Sequence, residues 1–411
     1  MQVEKASYNS SMYSIAKAKV TVLKPVIGIL PKPTPLCYIG PGKVMETAKI
    51  LMDGNIERVL VLTDSVLFNL GLLEPMLESI RISGIKVSVY KDVLPDPTYG
   101  IVEAALEISK KNDCQAVIAF GGGSVLDTSK AVAAAAANHI SPTKLEGLLK
   151  VKKESLPIIA IPTTAGTGSE VTLAAVISET VSHKKTTIAS PRIVPKFAIL
   201  DPELTTGLPN FVTATTGLDA LTHALEAYTN TYANEETDGY ARRAIKMIVE
   251  NLEVCMTEPT NLQARENLLV GSFHAGRAFT RTYVGYVHAF AHHIGGHFKV
   301  PHGLCCGILL PHVMQAYREV RLDRFASLSD LLKLAPESET TEGKADAFIQ
   351  FLFRLNEKLD IPKKLEKFPG SDIETIKKAA FKECHGTYPV PKYFSSQEAT
   401  EILSKICSEP E

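Results

Sequence analysis

AVIAFGGGSVLDTSKA, residues 116–131, joins an apolar run to three glycines and then to a helix-forming segment. An apolar run without polar alternation suits a strand that is covered on both faces. The glycines leave backbone amides unhindered where a helix begins, and such a helix N-terminus can bind a phosphate. The candidate phosphate cradle consists of Gly121, Gly122, Gly123 and Ser124. A tight turn that only needs glycine is the alternative, because the spacing departs from the GxGxxG fingerprint.

Four further apolar runs repeat this pattern in the first half of the chain. They are RVLVLTD (58–64), KVSVYKD (86–92), PIIAIPTT (157–164) and FAILDP (197–202). Helical stretches alternate with these runs, which predicts a parallel sheet with crossover helices. After about residue 210 the strand pattern stops, and helix-length amphipathic segments follow at 213–229, 236–257, 261–279 and 344–358. We therefore predict a Rossmann-like α/β domain over residues 1–206 and an all-α domain over residues 207–411.

Composition and charge exclude several classes of protein. The 411 residues are 45% hydrophobic and 22% charged, which is the balance of a globular protein. The 44 basic and 45 acidic residues nearly cancel, so no broad basic surface for nucleic acid is expected. Charged residues or proline interrupt the longest apolar stretches, so we expect no membrane span.

The N-terminal residues and the cysteines bear on the cellular compartment. No apolar signal segment with a cleavage site is evident at the N-terminus, and the seven cysteines form no CxxC motif. We expect reduced thiols and a cytoplasmic protein. The adjacent Cys305 and Cys306 are interpreted as small buried apolar residues.

A second loop, IPTTAGTGSEVT (161–172), is rich in hydroxyl and amide donors and follows another predicted strand. Open α/β sheets bind ligands at the carboxyl edge of their strands, so we expect this loop beside the glycine loop. A polar surface loop is the alternative. Asp64, at the end of a strand, is a candidate acceptor for an adenosine ribose hydroxyl, which would favour NAD over NADP. A helix N-cap is its other possible role.

Histidines cluster in the second half of the chain. Five of the eleven lie in GYVHAFAHHIGGHFKVPHG (285–303). His288 and His292 are four residues apart there, which places them on one face of a helix. Pro301 indicates a break and a new helix start, so that His302 can turn back toward an earlier helix.

That earlier helix is predicted from TTGLDALTHALEAY (215–228), in which Asp219 and His223 share a face. One carboxylate and three imidazoles suit a divalent transition metal and leave a coordination position for a substrate. The candidate ligands are Asp219, His223, His288 and His302. A surface ion pair and ordinary core histidines are the alternatives, and the clustering of five histidines among small and apolar residues weakens both.

Taken together, these motifs resemble the iron-containing, metal-dependent group III alcohol dehydrogenases. The resemblance runs from about Tyr38 to about Met314 and includes GGGSVLDTSKA, PTTAGTGSEVT, DPELTTGLP, TGLDALTHALEAY and the HxxxH…PHG segment in the family's order. It implies a dehydroquinate-synthase-like architecture, in which a dinucleotide-binding α/β domain precedes a helical metal-binding domain. The chain departs from many relatives at His293 and His297, which carry additional imidazoles.

The resemblance also implies roles for individual residues. Asp219, His223, His288 and His302 match the four metal ligands, and His292 matches a histidine that helps to move protons. The cofactor-binding residues that we predict are Asp64, Asp96, Gly121, Gly122, Gly123, Ser124, Asp127, Thr163, Thr164, Thr167 and Lys185. The expected cofactors are NAD, with NADP as the alternative, and Fe²⁺, with Zn²⁺ as the alternative.

The implied activity is hydride transfer that interconverts small alcohols or diols and aldehydes or ketones. A divalent cation acidifies an alcohol or polarises a carbonyl, and the nicotinamide accepts or donates the hydride. We expect a homo-oligomer, a dimer or larger, without nucleic-acid or membrane partners. The alternatives are a zinc polyol dehydrogenase similar to glycerol dehydrogenase, and a non-catalytic binding or assembly module on the same fold.

Overall fold

The computed structural model describes residues 13–25, 31–180 and 185–408. These residues pack into two compact units. The sheet unit comprises residues 31–180, 185–213 and 257–276. The helical unit comprises residues 13–25, 214–256 and 277–408. The division differs from a single cut between residues 206 and 207, and that domain boundary stays a prediction.

The elements of the first half follow in chain order. They are α1 (13–25), β1 (Leu36–Ile39), α2 (Glu46–Asp53), β2 (Arg58–Leu62), α3 (Ser65–Asn69), α4 (Glu74–Ile82), β3 (Lys86–Tyr90), α5 (Tyr99–Lys111), β4 (Ala116–Gly121), α6 (Gly123–Asn138), β5 (Gly147–Leu148), β6 (Ile158–Pro162), β7 (Ala174–Ser178), β8 (Lys185–Ala189) and β9 (Phe197–Leu200). The five runs that the sequence predicts as strands are β2, β3, β4, β6 and β9.

A six-stranded parallel sheet forms the centre of the sheet unit, in the order β1-β9-β6-β4-β2-β3. Alternate residues of β2 enter different hydrophobic layers, as the alternation of side chains along a strand requires. Val59 and Val61 pack in the layer that contains α2 and α4, whereas Leu60 and Leu62 pack in the layer that contains α5 and α6. The sheet is therefore covered on both faces, which confirms the α/β prediction. A smaller sheet of β5, β8 and β7 lies in the same unit.

The second half is built mainly from helices. They are α7 (Asn210–Thr229), α8 (Glu235–Thr257), α9 (Leu262–Thr282), α10 (Tyr286–Phe298), α11 (His302–Ala316), α12 (Leu322–Leu332), α13 (Thr341–Lys358), α14 (Ile373–Cys384) and α15 (Ser396–Ile406). Pro301 immediately precedes α11, so the predicted helix start at His302 is confirmed. None of the described helices has both the length and the apolar character that a membrane crossing requires.

Two short strands modify the prediction of an all-α second half. β10 (Leu365–Pro369) and β11 (Cys407–Ser408) pair in parallel at Leu365 and Cys407. A strand of two residues has no periodicity to detect, and LEKFP carries two charged residues among its five. The pairing depends on contacts between segments that are distant in sequence, so local patterns did not predict it.

Candidate metal centre and cofactor loops

Three acidic or imidazole side chains lie along one buried face of α7. Asp219, His223 and Glu226 follow a spacing of four and then three residues, which brings them to one side of a helix. Their side chains are at most 8% exposed. Sequence analysis selected the first two and missed Glu226, although its spacing places it on the same helix face.

Glu226 holds the start of α10. Its carboxylate accepts hydrogen bonds of 2.7 Å from the backbone amides of Gly285 and Val287, and one of 2.6 Å from Nδ1 of His288. The first amides of a helix have no partner within the helix, so this buried carboxylate serves as their cap. A Cβ atom on Gly285 would lie 2.9 Å from Oε1 of Glu226, which explains why glycine occupies this position.

Two glycines allow α11 to approach α7 closely. A Cβ atom on Gly303 would collide with the backbone oxygen of Thr215, and one on Gly307 would lie 2.7 Å from Cδ1 of Leu218. Gly303 directly follows His302, and Gly307 directly follows Cys306; both preceding residues are potential metal ligands. The close packing therefore brings these two side chains toward Asp219.

The side chains of Asp219, His288, His302 and Cys306 form one cluster of potential metal ligands. Oδ1 of Asp219 lies 3.5 Å from Nε2 of His288 and 3.5 Å from Nε2 of His302. One ligand atom from each of the four residues lies within 4.8 Å of the others. Two ligands that are each about 2.1 Å from a tetrahedral cation lie about 3.4 Å apart. The observed spacing therefore fits a shared divalent transition metal.

Polar atoms inside this cluster support the same conclusion. Oδ1 of Asp219 and Nε2 of His288 are buried and have no hydrogen-bond partner among the residues that the structure describes. An unsatisfied buried polar atom is costly, and a cation between them would satisfy both. The carboxylate, imidazole and thiol donors fit a divalent transition metal.

Charges around the cluster favour an ionised carboxylate. Burial alone would raise the pKa of Asp219, but the neighbouring imidazoles of His223, His302 and His288 outweigh burial and hold this pKa well below its usual value. Burial alone would lower the pKa of His288. The neighbouring carboxylates of Glu226 and Asp219 outweigh burial and raise this pKa to about 9. Burial, with a smaller contribution from Asp219, raises the pKa of the Cys306 thiol well above its usual value.

His223 lies beside the cluster. Its Nδ1 is 3.9 Å from Oδ1 of Asp219, and its ring stacks at 4.3 Å on His288 and at 4.1 Å on Phe279. Within the described chain, the group of mutually close ligand atoms contains Cys306 and does not contain His223. The role of His223 as a ligand stays a prediction.

A second polar network surrounds His292, the predicted proton carrier. Nδ1 of His292 donates to Oε1 of Glu383 at 2.7 Å, and the hydroxyl of Tyr388 donates to the same oxygen at 2.5 Å. Nε2 of His293 lies 3.0 Å from Oε2 of Glu383. Burial would raise the pKa of Glu383, but the neighbouring side chains of His292, His293 and Tyr388 outweigh it, His292 most of all, and lower this pKa far below its usual value. The carboxylate thus fixes the ring of His292, which stacks on His302 at 5.3 Å.

Sequence patterns did not predict this network. Glu383 lies on α14, 91 residues from His292, so no local spacing connects the two. His293 and His297, the two additional histidines, differ in environment. His293 contacts Glu383, whereas Nδ1 of His297 donates to the backbone oxygen of His293 at 2.8 Å.

The predicted cofactor loops lie at one edge of the parallel sheet. β4 and β6 are neighbours in register, with Gly121 opposite Pro162, so the glycine loop and the threonine loop leave the sheet side by side. β2 and β4 are also neighbours, yet the chain continues from β2 to β3 on one side and from β4 to β6 on the other. Such a reversal of strand order is where open α/β sheets bind ligands, and Asp64 and the glycine loop flank it.

The two loops pack tightly against each other. A Cβ atom on Gly123 would lie 2.5 Å from Cγ2 of Thr167, and one on Gly122 would lie 3.4 Å from Oγ1 of Thr164. The backbone amide of Thr163 donates to the oxygen of Gly121 at 3.1 Å. The loops therefore form a joint surface of amides and hydroxyls at the N-terminus of α6.

A buried lysine that sequence analysis missed ties α6 to the threonine loop. Nζ of Lys130 donates to Oγ of Ser169, to Oγ1 of Thr172 and to the backbone oxygen of Ala174, at 2.8–2.9 Å. Burial lowers the pKa of Lys130 to about 8, although Asp127 opposes this effect. Asp127 itself accepts from the Ser169 hydroxyl at 2.6 Å and from a backbone amide of β7 at 2.9 Å. Its contact with a cofactor stays a prediction.

The remaining predicted cofactor residues have identified partners. Asp64 caps α3, because its Oδ1 accepts from the backbone amide of Leu67 at 2.9 Å. A carboxylate has a second oxygen, so this cap is compatible with a contact to a ribose. Asp96, in a left-handed backbone conformation, pairs with Lys185 at 3.0 Å.

Comparison with known proteins agrees with these features. A sequence profile described as "Iron-containing alcohol dehydrogenase" matches residues 34–202, and one described as "Fe-containing alcohol dehydrogenase family, C-terminal" matches residues 213–407. The NAD-dependent methanol dehydrogenase of Bacillus methanolicus is 34% identical over 371 residues, which cover 90% of this chain and 97% of that protein. The 1,3-propanediol dehydrogenase of Citrobacter freundii is 35% identical over 373 residues, which cover 89% of this chain and 95% of that protein.

A solved structure extends the similarity to three dimensions. The alcohol dehydrogenase from Oenococcus oeni superposes with a TM-score of 0.88 at 31% identity, covering 91% of this chain and 99% of that chain. The similarity thus includes both the sheet unit and the helical unit. The chain belongs to the iron-containing alcohol dehydrogenase family.

Proposed function

We propose that this chain is an NAD-dependent dehydrogenase for small alcohols or diols that requires a divalent cation, with Fe²⁺ as the physiological ion. The single observation that carries the proposal is the cluster of Asp219, His288 and His302, in which the buried Oδ1 of Asp219 and Nε2 of His288 lack, among the described residues, a hydrogen-bond partner that a cation would replace. Family membership supports iron, and the NAD dependence printed for the methanol dehydrogenase of Bacillus methanolicus supports the cofactor.

The residues of the helical unit would prepare the reaction. When bound, the cation supplies Lewis acidity at the reacting oxygen, and the nicotinamide supplies the hydride acceptor or donor. Asp219, His223, His288 and His302 hold the ion in this proposal. Glu226 accepts from Nδ1 of His288 and so orients the ring, which directs Nε2 toward the ion as the ligand atom.

His292 is proposed to carry the proton that alcohol oxidation releases and that carbonyl reduction consumes. Its Nδ1 is held by Glu383, so its Nε2 is the atom that exchanges the proton. Glu383 stays charged and stabilises the protonated imidazole. A purely orienting role for His292 beside the ligands is the alternative, and the pH dependence of turnover separates the two.

The sheet unit supplies the cofactor contacts in this proposal. The amides of Gly122, Gly123 and Ser124 at the N-terminus of α6 bind the pyrophosphate. Asp64 accepts from a ribose hydroxyl, which favours NAD and leaves NADP as the weaker cofactor. The predicted set is completed by Gly121 and Asp127, by the threonines of the loop after β6 (Thr163, Thr164 and Thr167), and by Asp96, which pairs with Lys185 on β8.

The decisive experiment follows NADH absorbance with short-chain aldehydes under anaerobic conditions. Protein is assayed as purified, after chelation, and after addition of Fe²⁺ or Zn²⁺. We expect turnover that is lost on chelation and restored most fully by Fe²⁺. No turnover with any ion, together with NADH binding, would instead support a binding or assembly module.

A second candidate is a zinc polyol dehydrogenase, and the thiol of Cys306 beside the cluster is the observation that favours it. Glycerol as the best substrate, with activity restored by Zn²⁺ alone, would establish this alternative.

The proposal also includes a cytoplasmic homo-oligomer, a dimer or larger. All seven cysteines are free in the structure, which agrees with a reducing compartment. Light scattering of the purified protein tests the oligomeric state.

A further inference from the structure

The thiol of Cys306, in the helical unit, lies among the side chains that form the candidate metal centre. It follows His302 by one helical turn on α11, so both side chains project from the same face. Its Sγ lies 3.6 Å from Nε2 of His302 and belongs to the group of ligand atoms within 4.8 Å of one another. The glycines after these two residues keep α11 close to Asp219 on α7.

We infer that Cys306 binds the cation directly, so that this chain holds its metal through a carboxylate, imidazoles and a thiolate. The inference rests on the proposed metal centre and adds a ligand to it. Oδ1 of Asp219 and Nε2 of His288 supply an independent observation, because both atoms are buried and have no hydrogen-bond partner in the described part of the chain. Asp219 and His288 belong to the same group of potential ligands as Cys306.

Packing alone does not account for this position. Cys305 precedes Cys306 and is equally buried, at 0% exposure. Across the described residues, the sulfur of Cys305 is outside the group of ligand atoms. Of these two neighbouring thiols, the one that shares the helix face of His302 is the one that lies among the potential ligands.

Binding of the cation by Cys306 changes no oxidation state and needs no oxidant or reductant. The S–H bond breaks as the S–metal bond forms, the electron pair stays on sulfur, and the proton passes to solvent. Thiolate is a softer ligand than carboxylate or imidazole, so its presence shifts the preference of the site toward Zn²⁺ and away from Mn²⁺. We expect loss of the thiol to lower the ratio of Zn²⁺ to Mn²⁺ affinity by at least about tenfold.

The test uses the full chain after chelation and reloading with Co²⁺, whose charge-transfer absorption in the near ultraviolet reports a thiolate ligand. The wild type and Cys305→Ala should show this band at one bound Co²⁺ per chain. Cys306→Ala and Cys306→Ser should lose it. NADH binding by the sheet unit and thermal unfolding confirm that each variant is folded.

The outcomes separate the inference from the proposed function. If the wild type binds Co²⁺ without the band, or if Cys306→Ser retains it, the thiolate ligand is refuted while the metal centre stands. If no variant, including the wild type, binds Co²⁺ or Zn²⁺, both proposals fail. An unchanged ratio of Zn²⁺ to Mn²⁺ affinity in Cys306→Ala also contradicts the inference.

Discussion

Glu226 and His288 are joined by a hydrogen bond of 2.6 Å between Oε2 and Nδ1, although they lie 62 residues apart on two helices. The same carboxylate caps α10 through two backbone amides. One side chain thus both caps the start of α10 and orients the ring of His288. A ligand whose ring is held in this way loses little conformational freedom when it binds a metal.

Glu226→Gln should weaken metal binding by roughly 10- to 100-fold. The amide has nearly the same size, but its NH₂ group meets backbone and imidazole donors, so at least one buried donor loses its acceptor. Competition with a chromophoric chelator measures the dissociation constant. Glu253→Gln on α8, a half-exposed position whose carboxylate pairs with Lys358, is the control and should bind metal as the wild type does. Unchanged affinity in a folded Glu226→Gln protein would contradict the positioning role.

Glu383→Gln should lower kcat about tenfold, and His292→Ala about 100-fold, with the metal content of both unchanged. Because Glu383 acts through His292, the double variant should be no slower than His292→Ala alone. Steady-state kinetics across pH, combined with metal analysis, make this comparison. Glu374→Gln, an exposed position on the same α14 helix, is the control. Multiplicative losses in the double variant would show that the two residues act independently.

Gly123→Ala should impair NADH binding much more than Gly122→Ala. The new Cβ would lie 2.5 Å from Cγ2 of Thr167 in the first case, whereas in the second its nearest neighbour is at 3.4 Å. Fluorescence titration with NADH measures the difference. Adding Thr167→Ser removes the obstructing methyl group and should restore part of the affinity. Equal affinities for the two single variants would mean that loop packing does not shape the cradle.

Asp64→Ser should reduce the preference for NAD over NADP by about tenfold or more, because a charged acceptor for the ribose hydroxyl is removed. Serine can still cap α3 through the amide of Leu67, so helix stability is retained. The ratio of kcat/KM for the two cofactors is the measurement. If Asp64→Ser and Asp64→Asn both keep the wild-type ratio, Asp64 is only a helix cap.

The stability of the helical unit should decline as pH falls from about 6.5 to about 4. Burial, followed by the charge of Lys405, lowers the pKa of His312 to about 4 from an ordinary value of 6.5. Between these two pH values the unfolded chain binds more protons than the folded chain. The contribution of the neutral His312 to the free energy of unfolding is therefore complete above about pH 6.5 and is lost as the pH falls to about 4. Urea midpoints at several pH values should therefore decline less steeply for His312→Leu.

The control for this measurement is His139→Asn. His139 is an exposed histidine at the end of α6 in a left-handed conformation, which asparagine tolerates. This variant should show the same pH dependence as the wild type. Parallel curves for His312→Leu and the wild type would exclude a contribution from His312.

Much of the fold could be predicted because its signals are local. Five apolar runs indicated the central strands, and both faces of the sheet are indeed buried. Pro301 marked the start of α11 because its ring restricts the backbone and removes a donor. The four-residue spacing of Asp219 and His223, and of His288 and His292, depends only on the helical repeat.

The amino-acid sequence by itself therefore determined the order of sheet and helices, the glycine loop and the imidazole-bearing helix faces. Only the tertiary structure decided which side chains from different helices meet. Glu226, Glu383 and Cys306 acquire their roles from partners on other elements or from the close approach of α11 to α7. Periodicity specifies the face of a helix, whereas the distance and direction between faces depend on how the helices pack.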